Sequence, residues 1–399
     1  MSQWQELEKQ YFMRTFDRVP VTLVRGEGAR VWDDDGREYL DFVAGWAVNS
    51  LGHCHPAVAG AVTEQVHTLI QVSNQFYTIP QVQLAEILVQ HSCLDKVFMC
   101  NSGTEANEGA VKLARRYGKH HLNGAYEVIT TTGSFHGRTL GMVAATGQTK
   151  FQQPYVPLPS GFVNVEYNSI EAIEAVTSPK TCAIMLEPMQ GEGGVNLPDD
   201  DYLAQVRAWC DQKGILLILD EIQTGMGRTG TLFAYEQYGI EPDIMTLAKG
   251  LASGMPAGAI LAKDSAAVFT PGEHGSTFGG NPVTCAAAYA TVKFIVENDI
   301  AGNAKKVGDY LMDGLRNLAQ KHSVIVNVRG RGLLVAMEFN RDIAADMLMS
   351  CLSRGLLVNK LKPNALRFIP PLTIGNQEVD EALGILDEAL SAITNSGQN

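Results

Sequence analysis

A chain of 399 residues is long enough to bury a large core and to divide into about two or three domains. Its composition, with 45% apolar and 19% charged residues, is that of an ordinary globular enzyme. The net charge of −12 argues against nucleic acid or an anionic membrane surface as a partner.

The sequence carries no recognisable targeting or metal-binding signal. MSQWQELEKQYF lacks the basic and apolar regions of a secretory signal, and no apolar run approaches the ~18 residues of a membrane span. The seven cysteines are scattered and never spaced C-x-x-C, which favours a reducing cytoplasm over a disulfide framework. His53, Cys54 and His55 resemble a ligand cluster, but no second cluster completes it, so we expect no metal.

The first predicted elements are a helix and a small antiparallel meander. Trp4, Leu7 and Tyr11 recur at helical spacing, which predicts an amphipathic helix. VTLVRGEGARVWDDDGREYLDFV then alternates β-branched and polar residues around a turn signal at Asp33 to Gly36. The loop GWAVNSLGHCHP follows and is expected to lead into a helix over 57–69.

The next helix begins with features of a phosphate site. Ser102 and Glu105 have the spacing of a capping box, and Gly118 is a natural C-terminal stop. Ser102, Gly103 and Thr104 at a helix N-terminus offer free backbone N–H groups, a positive dipole end and two hydroxyls. A plain, well-capped helix is the alternative explanation of the same residues.

Two further predicted strands direct polar and aromatic residues toward one rim. A strand over 127–131 is followed by TGSFHGRT, which contains Phe135 and Arg138. Phe135 could stack on a cofactor ring or pack in the core, and Arg138 could clamp a carboxylate or lie solvated. A strand over 181–187 ends at EPMQGEGG, which places Glu187 and Glu192 near the same rim.

The central stretch delivers an acid and an amine to one crevice. The apolar run 215–219 predicts a buried strand that ends in Asp220 and Glu221, and the strand 244–248 ends in Lys249. Pyridoxal phosphate forms a Schiff base with a lysine, and its ring nitrogen is held protonated by a carboxylate. A salt bridge between two strand ends is the alternative. Strands and helices alternate from 97 to 263, which predicts an α/β fold with a mostly parallel sheet.

After residue 263 the pattern changes to that of a second layer. The glycine-rich loop EHGSTFGGNP precedes a long helix over 282–298. Further helices and strands over 324–328, 333–339 and 367–369 predict a smaller α+β unit. We place the domain break near 295. The expected units are 1–56, which packs with the small domain, the large domain 57–295 and the small domain 296–399.

Seven ordered motifs resemble those of the class III aminotransferases, the fold type I enzymes that use pyridoxal phosphate. They are SGTEANEGAVKLAR, SFHGRT, EPMQGEGG, LILDEIQTGMGRTG, TLAKG, GSTFGGNP and RFIPPLTI. The resemblance runs almost end to end. It implies a large domain with a mostly parallel, seven-stranded type of sheet flanked by helices, and a small α+β domain built from both chain ends.

The resemblance also implies roles for individual residues. Lys249 would be the Schiff-base lysine and proton shuttle, Asp220 would pair with the ring nitrogen, and Gln223 would contact the ring hydroxyl. Thr277 would reach the phosphate held by the neighbouring subunit, which implies a homodimer with sites at the subunit interface. The implied cofactor-binding set is Ser102, Gly103, Thr104, Phe135, Asp220, Glu221, Ile222, Gln223, Lys249 and Thr277.

A second implied set binds substrate. Arg138 and Ser276 would hold the donor, while Arg367 would take the carboxylate beside the reacting carbon. Glu192 would pair with Arg367 whenever no carboxylate is there, because a bare buried arginine would reject a donor with an uncharged methylene at that point. Trp46 departs from the family pattern, since members that act on acetylornithine have a small aliphatic residue and those that act on ornithine a tyrosine.

The implied activity is transamination between an ω-amino donor and 2-oxoglutarate. DFVAGWAVNSLGHCHP, HGSTFGGNP, LLVNK and LRFIPPLTI are most similar to members that act on N-acetylornithine, giving its semialdehyde and glutamate in arginine biosynthesis. Ornithine, succinylornithine, acetyl-lysine-type compounds and 4-aminobutyrate remain open as donors. Racemase or decarboxylase chemistry and a non-catalytic cofactor-binding scaffold are alternatives of other classes. The presence of Arg138, Glu192 and Arg367 together argues against racemase or decarboxylase chemistry. The retention of Lys249 and Asp220 argues against a non-catalytic scaffold.

Overall fold

The computed structural model describes residues 2–396. Its strands are β1 Leu23–Glu27, β2 Arg30–Asp33, β3 Glu38–Asp41, β4 Lys96–Cys100, β5 Glu127–Thr131, β6 Phe162–Val165, β7 Thr181–Leu186, β8 Leu216–Asp220, β9 Ile244–Leu247, β10 Gly258–Ala262, β11 Ile325–Arg331, β12 Leu334–Phe339, β13 Leu356–Leu357, β14 Asn359–Lys362 and β15 Ala365–Phe368.

Helices connect and cover these strands. They are α1 Gln3–Tyr11, α2 Ala44–Ala47, α3 Pro56–Thr68, α4 Ile79–Gln90, α5 Gly103–His121, α6 Leu140–Ala145, α7 Thr149–Gln152, α8 Ile170–Val176, α9 Tyr202–Lys213, α10 Pro282–Glu297, α11 Ile300–Lys321, α12 Ala344–Leu352 and α13 Asn376–Ser396. No helix in this described part of the chain is long and apolar enough to cross a membrane.

A seven-stranded sheet organises the centre of the molecule and confirms the predicted α/β fold. Its order is β4-β10-β9-β8-β7-β5-β6, and β10 alone runs antiparallel to both of its neighbours. Helices cover both faces, so β8 is buried along its whole length. Leu217 and Leu219 pack into one core cluster, whereas Leu216 and Ile218 pack into the other. This alternation explains why a parallel strand has an uninterrupted apolar sequence.

Two smaller sheets lie beside the central one. The meander β1-β2-β3 forms as predicted, and β13 from the C-terminal part pairs with β3 in parallel. The second sheet has the order β11-β12-β15-β14 and carries Arg367 on β15. The first of these two sheets therefore combines β1, β2 and β3 from the N-terminal part of the chain with β13 from the C-terminal part.

Two predicted helices differ from the expectation in detail. α1 forms, but none of its residues is buried, and its apolar Trp4 and Tyr11 are exposed on the isolated chain. α5 does not stop at Gly118 and continues to His121. A Cβ at position 118 would lie 2.1 Å from the carbonyl oxygen of Ala125, so this glycine permits close packing rather than ending the helix.

Candidate active site

A cavity of about 400 Å³ opens at the carboxyl ends of the parallel strands. This is where open α/β sheets place ligands, because the loops after neighbouring strands meet there. Ten of the predicted site residues line it: Ser102, Gly103, Thr104, Phe135, Arg138, Glu192, Asp220, Ile222, Gln223 and Lys249. The predicted site residues thus make up half of the cavity wall.

The N-terminus of α5 forms one end of the cavity. The Ser102 hydroxyl accepts the Glu105 N–H at 3.3 Å, which is one half of the predicted capping box. The Glu105 carboxylate accepts the N–H of Asn101 at 2.6 Å, one residue before the N-cap, so the reciprocal bond of the box is displaced by one residue. A Cβ at Gly103 would lie 2.8 Å from the terminal methyl of Ile222, so a side chain there would have to displace Ile222 in the cavity wall. The helix end presents backbone N–H groups and the positive end of its dipole to the cavity, which suits an anion such as phosphate.

Asp220 is held at the centre of a buried polar network. One carboxylate oxygen lies 2.8 Å from His136 Nδ1 and accepts the Asn107 amide N–H at 2.8 Å. The other oxygen accepts the backbone N–H of Ile222 at 3.1 Å. Asn107 is itself fixed by the Thr246 hydroxyl, which donates to its amide oxygen at 2.7 Å. The network fixes the carboxylate at the rim of the sheet, where it can face a protonated ring nitrogen.

His136 and Asn107 are site residues that the sequence does not single out. Both side chains are buried and hold the Asp220 carboxylate. Asn107 looks like an ordinary polar residue inside α5, and His136 lies within SFHGRT without a spacing that marks a partner. The helical spacing of the apolar residues of α5 would have signalled only that Asn107 lies on its buried face.

Lys249 follows β9 in a left-handed backbone conformation with a φ of 40°. Few residues other than glycine adopt this region, and it is common at functional sites because the surrounding structure must stabilise it. Burial lowers the pKa of the Lys249 ammonium, and the nearby carboxylate of Glu192, at 3.9 Å, opposes that shift. A lowered pKa increases the fraction of neutral amine, the form that can attack a carbonyl and accept a proton.

Arg367, Glu192 and Gln223 form a closed cluster on the far side of the cavity. Arg367 is only 1% exposed and donates to Glu192 at 2.7 Å, to Gln223 Oε1 at 3.1 Å and to the Gly191 carbonyl at 3.1 Å. Burial alone would raise the pKa of Glu192, but the charges of Arg367 and Lys249 lower it to about 2. Glu192 is therefore ionised at neutral pH. Its carboxylate occupies the side of Arg367 that an incoming carboxylate would need.

The opposite wall of the cavity is aromatic and cationic. Phe135 lines it, and the Arg138 guanidinium lies 4.2 Å from the centre of the Phe151 ring and 5.3 Å from that of Phe135. Arg138 makes no ion pair with any residue of the described range 2–396. An exposed guanidinium that faces a cavity and is held only by ring faces can take a carboxylate in bidentate fashion.

The prediction that Glu221 belongs to this wall is wrong. Its carboxylate is buried behind the strand end, where it accepts the backbone N–H groups of Ala234 at 2.7 Å and Tyr235 at 2.8 Å. Consecutive residues of an extended chain point to opposite sides, so Asp220 and Glu221 cannot both face the cavity. Burial raises the pKa of Glu221 to about 7, although those N–H groups oppose the shift.

Four other predicted residues do not form part of the cavity wall. Arg367 reaches it through Glu192 and Gln223. The Ser276 hydroxyl accepts from the side chain of Asn101, which does line the wall, at 3.1 Å. Thr277 is exposed on the glycine-rich loop, and Trp46 is 49% exposed.

The backbone at Trp46 has a conformation that the sequence does not predict. Ala44, Gly45, Trp46 and Ala47 all have φ between 46° and 65°, so α2 is a single left-handed turn. Left-handed helical backbone costs roughly 1–2 kcal/mol for each residue other than glycine. Val48 emerges from this turn into the cavity wall, and the Trp46 ring lies 6.1 Å from that of Phe16. The turn thus brings Val48 to the cavity wall and holds the exposed Trp46 ring against Phe16.

The chain is similar in sequence and in structure to known proteins. Residues 11–390 match the family described as Aminotransferase class-III. An acetylornithine aminotransferase of Caldanaerobacter subterraneus subsp. tengcongensis is 50% identical over 97% of this chain and 98% of its own. The ornithine aminotransferase of Toxoplasma gondii ME49 superposes with a TM-score of 0.95 at 34% identity, over 98% of this chain and 95% of its own. The N-acetylornithine aminotransferase of Stenotrophomonas maltophilia K279a has a TM-score of 0.85 at 38% identity, over 98% and 99%.

Proposed function

The chain belongs to the class-III aminotransferases, and from that premise we propose that it transfers the ω-amino group of N-acetylornithine to 2-oxoglutarate. The products are N-acetylglutamate 5-semialdehyde and glutamate. One observation carries the choice of donor: all three carboxylates that line the cavity within residues 2–396 are already engaged. Asp220 is held by His136, Glu192 by Arg367 and Glu187 by backbone N–H groups.

The residues of the cavity fit pyridoxal phosphate as the cofactor. The N-terminus of α5 suits the phosphate, and Gly103 leaves its first turn free of a side chain that would press on Ile222. Phe135 offers a ring to stack against, and Asp220 offers an acceptor to a protonated ring nitrogen. When bound, this cofactor supplies an aldehyde and an electron-withdrawing ring, and Lys249 is the amine that would hold it.

The protein's own residues then divide the work of the reaction. Arg138 binds the distal carboxylate of the donor and orients its ω-carbon toward Lys249. The Lys249 amine takes a proton from that carbon and later returns one, because it is the only lysine on the cavity wall in the described range 2–396. Arg367 binds the carboxylate of 2-oxoglutarate after Glu192 moves aside, and Ser276 and Trp46 complete the substrate-binding set.

We propose that two copies of the chain form the working unit. Large apolar side chains near Thr277 are exposed on the isolated chain, including Phe278 at 64%, Tyr77 at 98% and Ile79 at 74%. Exposed apolar residues of this size are typical of a protein–protein interface. In such a homodimer Thr277 reaches the phosphate in the partner's site, with Gln223 and Ile222 beside the ring.

The proposal also includes the domain boundaries and the cellular location. We take 57–295 as the large cofactor-binding domain and 296–399 as the small domain, with 1–56 packed on the latter, which the pairing of β3 with β13 supports. The location is cytoplasmic, a proposal supported by the seven cysteines, all of which are unpaired.

A panel of amino donors with 2-oxoglutarate tests the choice of substrate. We expect kcat/KM for N-acetylornithine to exceed that for ornithine by about tenfold or more, since each ~1.4 kcal/mol is a factor of ten. Ornithine brings an α-ammonium that finds no free carboxylate, and cation–π attraction to Trp46 recovers only ~0.5–2 kcal/mol. Burying an unpaired ammonium costs more than that. Glutamate formation in a coupled assay measures the ratio.

The variant Trp46→Ile serves as the matched comparison in the same panel. We expect it to accept longer acylated donors better than the wild type does, because the indole narrows the mouth of the site. The ratio of N-acetylornithine to ornithine should stay above one. Equal kcat/KM values for the two donors on the wild type, or a preference for 4-aminobutyrate, would contradict the choice of substrate.

Glu192→Gln should separate the two half-reactions. Without the carboxylate, Arg367 carries an uncompensated charge against the methylene of the donor, so we expect kcat/KM for N-acetylornithine to fall by roughly ten- to a hundredfold. The KM for 2-oxoglutarate should fall, because its carboxylate no longer competes with Glu192. Single-turnover rates for each substrate measure both effects. Glu297→Gln, which changes an exposed carboxylate, is the control. An equal loss of rate in both half-reactions would refute the proposal that Glu192 and the 2-oxoglutarate carboxylate take turns at Arg367.

A further inference from the structure

Glu187 touches two loops of the candidate site at once. It directly follows β7, is 5% exposed and lines the cavity. One of its carboxylate oxygens accepts the N–H of Phe135 at 2.9 Å, and the other accepts the N–H of Gly191 at 3.1 Å. Both bonds run to backbone, so the carboxylate fixes the chain itself in each loop.

The two loops carry opposite ends of the substrate site. Phe135 lies three residues before Arg138, which faces the distal carboxylate of the donor in the proposed function. Gly191 precedes Glu192, and its carbonyl accepts from Arg367 at 3.1 Å. One buried carboxylate therefore links the arginine at each end of the site through short stretches of backbone.

The Gly191 backbone is packed so closely that any shift of it would displace neighbouring side chains of the site. A Cβ at this position would lie 1.7 Å from the side-chain oxygen of Gln223, so the backbone is packed directly against that residue. Gln223 in turn donates to Glu192 at 3.0 Å and accepts from Arg367 at 3.1 Å. A shift of Gly191 away from Glu187 would be transmitted to all three of these side chains.

We propose that Glu187 is a positioning residue whose carboxylate fixes the Arg138 loop and the Glu192 loop relative to each other, and so sets the donor length that the site accepts. This assignment rests on the proposed function for the identity of the donor, but its structural part concerns the two loops alone. Glu187 touches neither end of the donor, so it acts through Arg138 and Glu192.

The charges around Glu187 give the linkage a pH dependence. Burial raises its pKa to about 7, the charge of His136 opposes this shift, and the charge of Asp220 adds to it. Lys249 and the hydroxyl of Tyr167 are the other titratable groups that interact with it. A carboxylate accepts two N–H groups, whereas a protonated carboxyl turns its own O–H toward one of them. The linkage is therefore complete only well above pH 7 and weakens as the pH falls through about 7.

Hydrogen–deuterium exchange of the cofactor-loaded protein tests this arrangement without reference to the donor. In Glu187→Gln we expect protection factors of the loops 132–139 and 188–196 to fall at least tenfold at pH 8. In the wild type the same protection should decline between pH 8 and pH 6, and this decline should be absent from Glu187→Gln. Glu236→Gln is the matched control, because Glu236 also accepts a backbone N–H, that of Phe233, but lies off the cavity.

Kinetics on the same variants provide the second readout. We expect the KM for N-acetylornithine to rise about tenfold in Glu187→Gln while kcat changes less than threefold, because the reacting groups remain in place. Glu187→Asp keeps the charge but shortens the side chain, so it should also raise KM, and it replaces the glutamine variant as the test if that variant fails to fold. Unchanged exchange in both loops overturns the assignment whatever the donor. Inactivity of the wild type on N-acetylornithine would instead remove the proposed function and leave the exchange result standing.

Discussion

Replacing Lys249 by alanine is expected to reduce kcat by about 10⁴-fold, the upper end of the range for loss of a positioned acid–base group. Within residues 2–396 no other lysine lines the cavity, so no second amine can take over the proton at the donor's ω-carbon. The phosphate site at the start of α5 is untouched, so the variant should still retain part of its cofactor. Steady-state glutamate formation and the visible absorbance of the purified protein measure the two effects.

Lys293→Ala is the control for this change, since that side chain is half exposed on α10 and lies away from the cavity. Its kcat should equal that of the wild type. In the wild type, borohydride should bleach the colour of the protein and leave the reduced cofactor attached to Lys249. A Lys249→Ala protein with a tenth or more of the wild-type turnover would refute the role given to this lysine.

Asp220→Ala should give the second large effect. The carboxylate stabilises a protonated ring nitrogen, and we expect proton abstraction in the donor half-reaction to slow by about three orders of magnitude, or ~4 kcal/mol. Loss of an ordinary hydrogen bond, at ~1 kcal/mol, would slow it only about fivefold. Rapid-mixing measurements on a single turnover isolate this step from product release.

Asp220→Asn separates charge from position. The amide keeps an oxygen that can face His136 or Asn107 but carries no charge, so the rate should stay within about tenfold of the alanine variant. The exposed Asp211, whose side chain is 66% exposed, provides the control variant Asp211→Ala. An effect of less than tenfold for Asp220→Ala would mean that the carboxylate does not face the cofactor.

The sequence predicts that Asp220 and Lys249 lie in the same crevice, because this placement depends only on the direction of the two strands. Each residue follows an apolar run, and parallel neighbours β8 and β9 end at the same edge of the sheet. The error at Glu221 has an equally local cause. The sequence shows two adjacent acids, but the alternation of side chains in an extended chain admits only one of them to the cavity.

Other features depend on contacts between distant parts of the chain and could not be predicted. His136 and Asn107 meet Asp220 across 84 and 113 residues, so no local spacing marks them. The left-handed turn at Trp46 contains only one glycine among its four residues, so propensity argues against the conformation observed. Gly118 illustrates the reverse case, in which a familiar stop signal reflects close packing against Ala125.

The most direct test of the proposed reaction follows the nitrogen atom. Purified protein, loaded with pyridoxal phosphate, is incubated with 2-oxoglutarate and N-acetylornithine labelled with ¹⁵N at the ω-amino group. We predict that the label appears in glutamate in equal amount to the semialdehyde formed, and that none is transferred by Lys249→Ala. Glutamate without label, or transfer from ornithine or 4-aminobutyrate but not from N-acetylornithine, would contradict the account.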